Sequence, residues 1–182
     1  MAMIFMTGLS GAGKSTLARE VQLRLSALRI PAEVFDGDEY RQTMNNDLDF
    51  SAGGRRENIL RLATLAHKKN SGGISIIAAI NPFEDQRIEL AKKFGAKIIW
   101  IYCDLKILIK RDTKGLYKKA LLPDSHPDKL LNLTGVNDPY EVPGNPDLLI
   151  NTSEAPVAVC AEQLFNYVLI ARNGSGTLTS SS

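Results

Sequence analysis

The stretch Gly8 to Thr16, "GLSGAGKST", gathers glycines, a lysine and hydroxyl residues directly behind an apolar run, Met3 to Met6. Gly8, Gly13, Lys14 and Ser15 satisfy the spacing G-x-x-x-x-G-K-[ST], and Leu17, Val21, Leu25 and Leu28 follow at helical period. A strand before and an amphipathic helix after are the context this motif needs. There the glycines let backbone N–H groups turn inward around a phosphate, and the helix amino terminus adds a favourable dipole. Lys14 is placed to reach the β and γ oxygens of a nucleoside triphosphate, Ser15 to hold magnesium and Thr16 to support the α-phosphate, with Ser10, Gly11 and Ala12 completing the loop.

A phosphate loop does not say where the phosphate goes. Asp36, after "AEVF", and Asp104, after "IIWIYC", each end an apolar run, where a carboxylate on the metal side is expected. Asp36 is favoured because Asp38 follows it. One carboxylate can hold metal-bound water while the other orients or deprotonates an attacking hydroxyl. "DGD" alone would also make a tight turn; beside a phosphate loop the catalytic reading takes precedence. No guanine-reading N-K-x-D occurs, and "DTKG" at Asp112 to Gly115 matches a GTPase motif only trivially, so a switch protein is set aside.

The elements that must position these groups alternate along the chain. Apolar, β-rich runs at Met3–Met6, Ala32–Phe35, Ile74–Ile80, Lys97–Tyr102 and Leu148–Ile150 predict strands. Helical stripes lie between or after them, among them Ile59, Leu62, Ala63 and Ala66, and Ala161, Leu164, Phe165, Val168 and Leu169. Strands that are apolar on both faces belong to covered parallel sheets. The expectation is therefore a three-layer α/β P-loop fold with a mainly parallel five-stranded sheet, ligands gathering at the strands' carboxyl ends. The charged, proline-interrupted segment from about 104 to 144 reads as a lid, a mobile cover rather than core. Residues 173–182 read as a disordered tail.

With 182 residues, 44% of them hydrophobic, the chain makes one domain, residues 1–172. A net charge of +2 without long basic runs argues against nucleic acid and for a small anionic ligand. Cys103 and Cys160 form no motif, which fits a reducing compartment. No apolar stretch nears the roughly 18 residues of a membrane span. The expectation is a cytoplasmic protein with no membrane partner. His67 and His126 read as exposed side chains without a role.

Further blocks sharpen the reading. "DGDEYR" (Asp36–Arg41), "FSAGGRRENI" (Phe50–Ile59), "INPF" (Ile80–Phe83), "RDTKGLYKKA" (Arg111–Ala120) and "LTGVNDPYEVP" (Leu133–Pro143), in this order behind the phosphate loop, resemble the motif set of adenylyl-sulfate kinases. The resemblance implies transfer of the ATP γ-phosphate, with Mg2+, to the ribose 3'-hydroxyl of adenosine 5'-phosphosulfate (APS), giving PAPS; a homodimer is common in the family. Carried over by position, Asp38 resembles the general base and Asp36 its partner on the metal side, acting through water. Arg41, Arg55 and Asn58 match residues gripping the acceptor nucleotide, and Phe50 an aromatic stacking on its base. Lys114 resembles the lysine closing over the transferring group, and Arg111 the arginine over the ATP base. Ile80, Asn81, Leu133 and Thr134 fall at further substrate positions.

The departures cluster on the acceptor side. Asn81 stands where the family often has serine, and a carboxamide cannot carry a phosphate, so transfer must be direct. Leu133 replaces a second aromatic, removing one stacking face. The link "LLPDSHPDKLLN" before it is longer than usual. An acceptor of related chemistry, such as cytidine diphosphoramidate, therefore stays open, as does a nucleotide-binding module without turnover.

Overall fold

Residues 2–69 and 72–174 are described by a computed structural model. Ala2–Thr7 (β1) forms the centre of a five-stranded sheet with Ala32–Asp36 (β2), Ile74–Ala78 (β3), Lys97–Tyr102 (β4) and Leu148–Asn151 (β5). All pairings are parallel and the order is β2-β3-β1-β4-β5. Register sets Ile4 opposite Ile76 on one side and Phe5 opposite Ile98 on the other.

Every residue of β1 is buried. Alternation along the strand divides its side chains between two cores: Ala2, Ile4 and Met6 enter one, Met3 and Phe5 the other. The first core is closed by Lys14–Ala27 (α1), through Leu17, Val21 and Leu25, and by Val157–Gly174 (α7), through Ala161, Leu164 and Val168. The second is closed by Ala52–Lys69 (α3), through Ile59, Leu62, Ala63 and Ala66, and by Glu84–Phe94 (α4), through Leu90. Each fully buried Leu or Ile stabilises the fold by about 1.5–3 kcal/mol. This two-sided cover is why the strands read as unbroken apolar runs. The shorter helices Gly37–Thr43 (α2), Leu105–Arg111 (α5) and Leu116–Ala120 (α6) lie between the main layers' elements in sequence.

Four expectations need correction. Leu28 is 56% exposed; α1 ends at Ala27, and Leu28 is its C-cap, donating its N–H to Leu25 and Ser26 carbonyls. β3 stops at Ala78 rather than Ile80, because Asn81 takes a left-handed φ of 42° and turns the chain across the sheet end. The segment 104–144 is not cover alone: Leu108, Tyr117, Ala120 and Leu133 are buried in the core beside α1 and α7. Finally, α7 runs through Gly174, so residues 173 and 174 are helical, and the rest of the expected tail lies outside the described residues.

Candidate active site

The phosphate loop lies at the carboxyl end of β1, where a parallel sheet presents its ligands. Gly8 has φ 150°, and a Cβ there would stand 2.2 Å from the Ile101 carbonyl oxygen, so only glycine lets the loop pass β4. The loop is braced from outside the motif. Tyr117 Oη donates to the Ser10 carbonyl at 2.8 Å and Thr152 Oγ1 to the Ala12 carbonyl at 2.9 Å. Lys14 Nζ donates to the Gly8 and Leu9 carbonyls, both at 2.8 Å, holding the ammonium inside the curl of the loop. Burial pulls this ammonium from 10.5 down to about 8, with Asp38 and Asp36 working against the shift and Lys114 adding to it.

The loop forms one wall of a cleft of about 200 Å³; Asp36, Asp38, Ile80, Thr113 and Lys114 line it too. Asp36, at the end of β2, caps α2: its Oδ1 accepts from the backbone N–H of Asp38 at 2.9 Å, and its other oxygen accepts from the Ser15 hydroxyl. A hydroxyl and a carboxylate in contact beside a phosphate loop form an all-oxygen donor set of the kind magnesium takes, the rest of its shell coming from phosphate and water. Among the described residues no group of three or more His, Cys, Asp or Glu could hold a metal by itself. Asp38, the second residue of α2, is exposed and forms an ion pair with Lys114.

A second, smaller cleft of about 60 Å³ adjoins the first. It is lined by Asp38, Arg41, Phe50, Arg55, Asn58, Ile80 and Asn81, among others. Three separate segments thus converge as their motif positions imply. Arg41 Nη1 donates to the carbonyls of Leu48, at 3.2 Å, and Asp49, at 2.7 Å, and its guanidinium lies 4.6 Å from the Phe50 ring centroid. Burial, with repulsion from Arg55, lowers the Arg41 pKa. Arg55 is buried and anchored: Nε to the Phe50 carbonyl at 2.9 Å, Nη1 to Thr134 Oγ1 at 2.9 Å, Nη2 to the Asn132 carbonyl at 2.6 Å and to Asp138 at 3.0 Å. Asn58 Oδ1 accepts from Asn45 Nδ2 at 3.0 Å.

Two of the expected acceptor residues do not line this cleft. Leu133 is buried in the core, and Thr134, 1% exposed, meets the site only through its bond to Arg55. Packing turns the apolar Leu133 inward, into the core that also holds Leu108, Tyr117 and Ala120. Arg111 lies on the far side of the phosphate loop, lining a small pocket with Ser10, Gly11 and Tyr117 and donating to the Thr152 and Ser153 carbonyls at 3.2 and 3.0 Å. The sequence reading missed Thr113, Tyr117, Thr152, Asn45 and Asp138. Thr152 alone carried a signal, being the first hydroxyl residue after the Leu148–Ile150 run, at the end where ligands gather. His67 and His126 are exposed, as expected.

Residues 1–151 match the family model for adenylylsulphate kinase. The chain belongs to the adenylylsulphate kinase family. Among curated adenylyl-sulfate kinases, that of Clostridium kluyveri is 37% identical over 169 residues, spanning 91% of this chain and 82% of the relative. That of Myxococcus xanthus is 42% identical over 155 residues, spanning 82% and 80%. A solved structure of the Mycobacterium tuberculosis APS kinase in complex with AMPPNP and APS superposes with a TM-score of 0.82 at 32% identity, covering 91% of this chain and 95% of that one. The fold class and the kinase assignment follow from this membership. No helix among the described residues is long and apolar enough to cross a membrane.

Proposed function

We propose that this adenylylsulphate kinase family member transfers the γ-phosphate of ATP to the ribose 3'-hydroxyl of APS, giving PAPS and ADP. The observation that carries the reading is that Asp38 lines both clefts, the phosphate-loop cleft and the one walled by Arg41, Phe50 and Arg55. A carboxylate shared by two anion-binding clefts is where an alcohol must lose its proton as it meets a phosphoryl group. The new bond joins the 3'-oxygen to the γ-phosphorus, the bond from that phosphorus to the bridging oxygen of ADP breaks, and the proton passes to an Asp38 oxygen. Asn81 offers no hydroxyl to phosphorylate, so the transfer is direct.

Arg41 and Arg55 face the phosphosulfate, Asn58 the sugar and Phe50 the base; guanidiniums suit such an anion because they stay charged. Ser15 directly, and Asp36 through water, would hold magnesium, which supplies charge neutralisation at the phosphates. Lys114 moves from Asp38 to the transferring phosphate. The step is cheap, because an ion pair whose side chains are 49% and 61% exposed is worth at most about 1 kcal/mol. The loop bearing Thr113 and Lys114 is the part of the 104–144 segment that acts as the lid and keeps water from the phosphate. The working unit is a homodimer, as the family resemblance implies, which light scattering tests separately.

The test is an ADP-release assay comparing APS, cytidine diphosphoramidate and AMP. APS is expected to win by a hundredfold or more, about 2.7 kcal/mol. Equal rates with AMP, or faster turnover of the cytidine compound, would overturn the substrate.

A further inference from the structure

Segment 104–120 holds six basic and two acidic residues, so it carries +4 on a chain whose net charge is +2, and the rest of the chain is left at −2. The excess is not cancelled locally. Asp104 Oδ1 accepts from the Lys106 backbone N–H at 2.7 Å, and Asp112 accepts from the Tyr117 and Lys118 N–H groups at 3.0 and 2.9 Å. Of the six cations, Arg111 donates to backbone carbonyls and Lys114 pairs with Asp38. The other four, Lys106, Lys110, Lys118 and Lys119, are exposed and form no ion pair among the described residues. Packing sets where they stand. In α5, Leu108 is buried and Leu105, Ile107 and Ile109 pack against the first core, which leaves Lys106 and Lys110 outward at i and i+4. In α6, Tyr117 and Ala120 are buried, and Lys118 and Lys119 face solvent. Like charges one turn apart destabilise a helix, so the fold gains nothing from setting Lys106 beside Lys110.

We infer that the lysine face of α5 and α6 steers anionic nucleotides into the phosphate-loop cleft without touching them once they are bound. The inference rests on the nucleotide reading of the site. Both substrates in that reading are anions, and ATP stays one with magnesium bound. The stretch between the two helices carries Thr113 and Lys114 into the wall of the cleft, and Arg111 and Leu116 line the pocket beside it, so the lysines flank the site from both sides of that stretch. None of the four lines either cleft or the pocket. They act at a distance. At 1.5 Å per residue, Lys106 stands about 8 Å along the axis of α5 from Arg111, inside a screening length of about 10 Å at 0.1 M salt. Uncompensated charge of one sign beside a cleft raises the local concentration of an oppositely charged ligand and its association rate, by about tenfold or more at low salt. Rim charges of this kind change the association rate and its salt dependence, whereas direct contacts change dissociation.

Stopped-flow binding of mant-ATP with Mg2+ to the full chain tests this. With Lys106, Lys110, Lys118 and Lys119 all replaced by Gln, kon at about 0.02 M ionic strength is expected to fall about three- to tenfold, and at about 0.5 M to match wild type. koff should stay within about a factor of two at both, and kcat at saturating substrate should not change. Arg at the same four positions keeps the charge and should restore the wild-type kon. The control lies at the other end of the sheet, where Lys68, Lys92 and Lys93 are exposed beside the amino ends of the strands. Replacing those three by Gln should leave kon as it is. Equal kon for wild type and the fourfold Gln variant at low ionic strength, a deficit that persists at high ionic strength, or the same loss in the far-end control would each overturn the inference. If wild type binds nucleotide and the four lysines make no difference, only this inference fails. If wild type binds neither mant-ATP nor, by calorimetry, unlabelled ATP, the nucleotide reading fails and the inference with it.

Discussion

The two clefts, donor and acceptor halves of the site under the proposed function, are built in different ways. The donor half is a continuous loop, Gly8 to Thr16, whose binding groups are chiefly backbone N–H, fixed by glycine geometry and braced by Tyr117 and Thr152. The acceptor half is made of side chains from α2, α3, the loop before α3 and the turn after β3, each oriented by its own partners: Arg41 by the Leu48 and Asp49 carbonyls, Arg55 by Asp138 and Thr134. A backbone cradle holds phosphate whatever is attached to it, and it tolerates little change. A cleft of side chains can be retuned one residue at a time, and Asn81, one of the positions where the sequence departs from the motif it resembles, lies in that cleft.

That contrast can be broken by mutation. Lys14→Ala carries the largest expected effect: ATP-dependent turnover falls by about a thousandfold or more, the scale for a charge preorganised toward the transferring group. APS binding by calorimetry should persist, and its loss as well would mean the halves are not separable. Next comes Asp38→Asn, expected to lower kcat by about a hundredfold while ATP affinity stays within a factor of a few. Normal turnover would remove Asp38 from the proton transfer and with it the link between the clefts.

The third effect is a pH dependence confined to the donor half. The Lys14 ammonium must be charged to hold phosphate, and in the free protein it loses its proton near 8. kcat/KM for ATP, which reports the free enzyme, should therefore fall about tenfold per pH unit above 8, with Kd for APS flat over the same range. The sign for stability is opposite. Between about 8 and 10.5 the unfolded chain holds this proton and the folded one does not, so the Lys14 contribution to stability rises with pH there. Melting curves recorded alongside should show no loss traceable to this group, and parallel loss of activity and melting temperature would assign the decline to unfolding. The smallest effect belongs to Phe50→Leu. Losing an aromatic face should cost about 0.5–1.5 kcal/mol, seen as a two- to tenfold rise in KM for APS with ATP unaffected. A change in ATP KM instead would place Phe50 in the donor half.

The phosphate loop, the strand order's raw material and the Asp36–Asp38 pair were legible because each depends on neighbours in sequence: glycine conformations, apolar period and a strand end. Arg41, Phe50, Arg55 and Asn58 were legible only as motif positions, since nothing in a charged helix start distinguishes a buried arginine from a solvated one. Leu133 and Leu28 were misjudged for one reason. Whether an apolar side chain is covered depends on what packs over it, and a stripe or a motif slot does not carry that information.

By itself, then, the order of amino acids determined a covered parallel sheet, a phosphate cradle and an acidic pair beside it, because local backbone preference and hydrophobic period act over a few residues. Only tertiary structure decided that Asp38 borders both clefts, that Arg55 is held by Asp138, and that Asn81 is buried with its carboxamide unpaired. Those facts arise where segments far apart in sequence meet, and burial, which sets the cost of each unpaired or charged group, exists only once they have met.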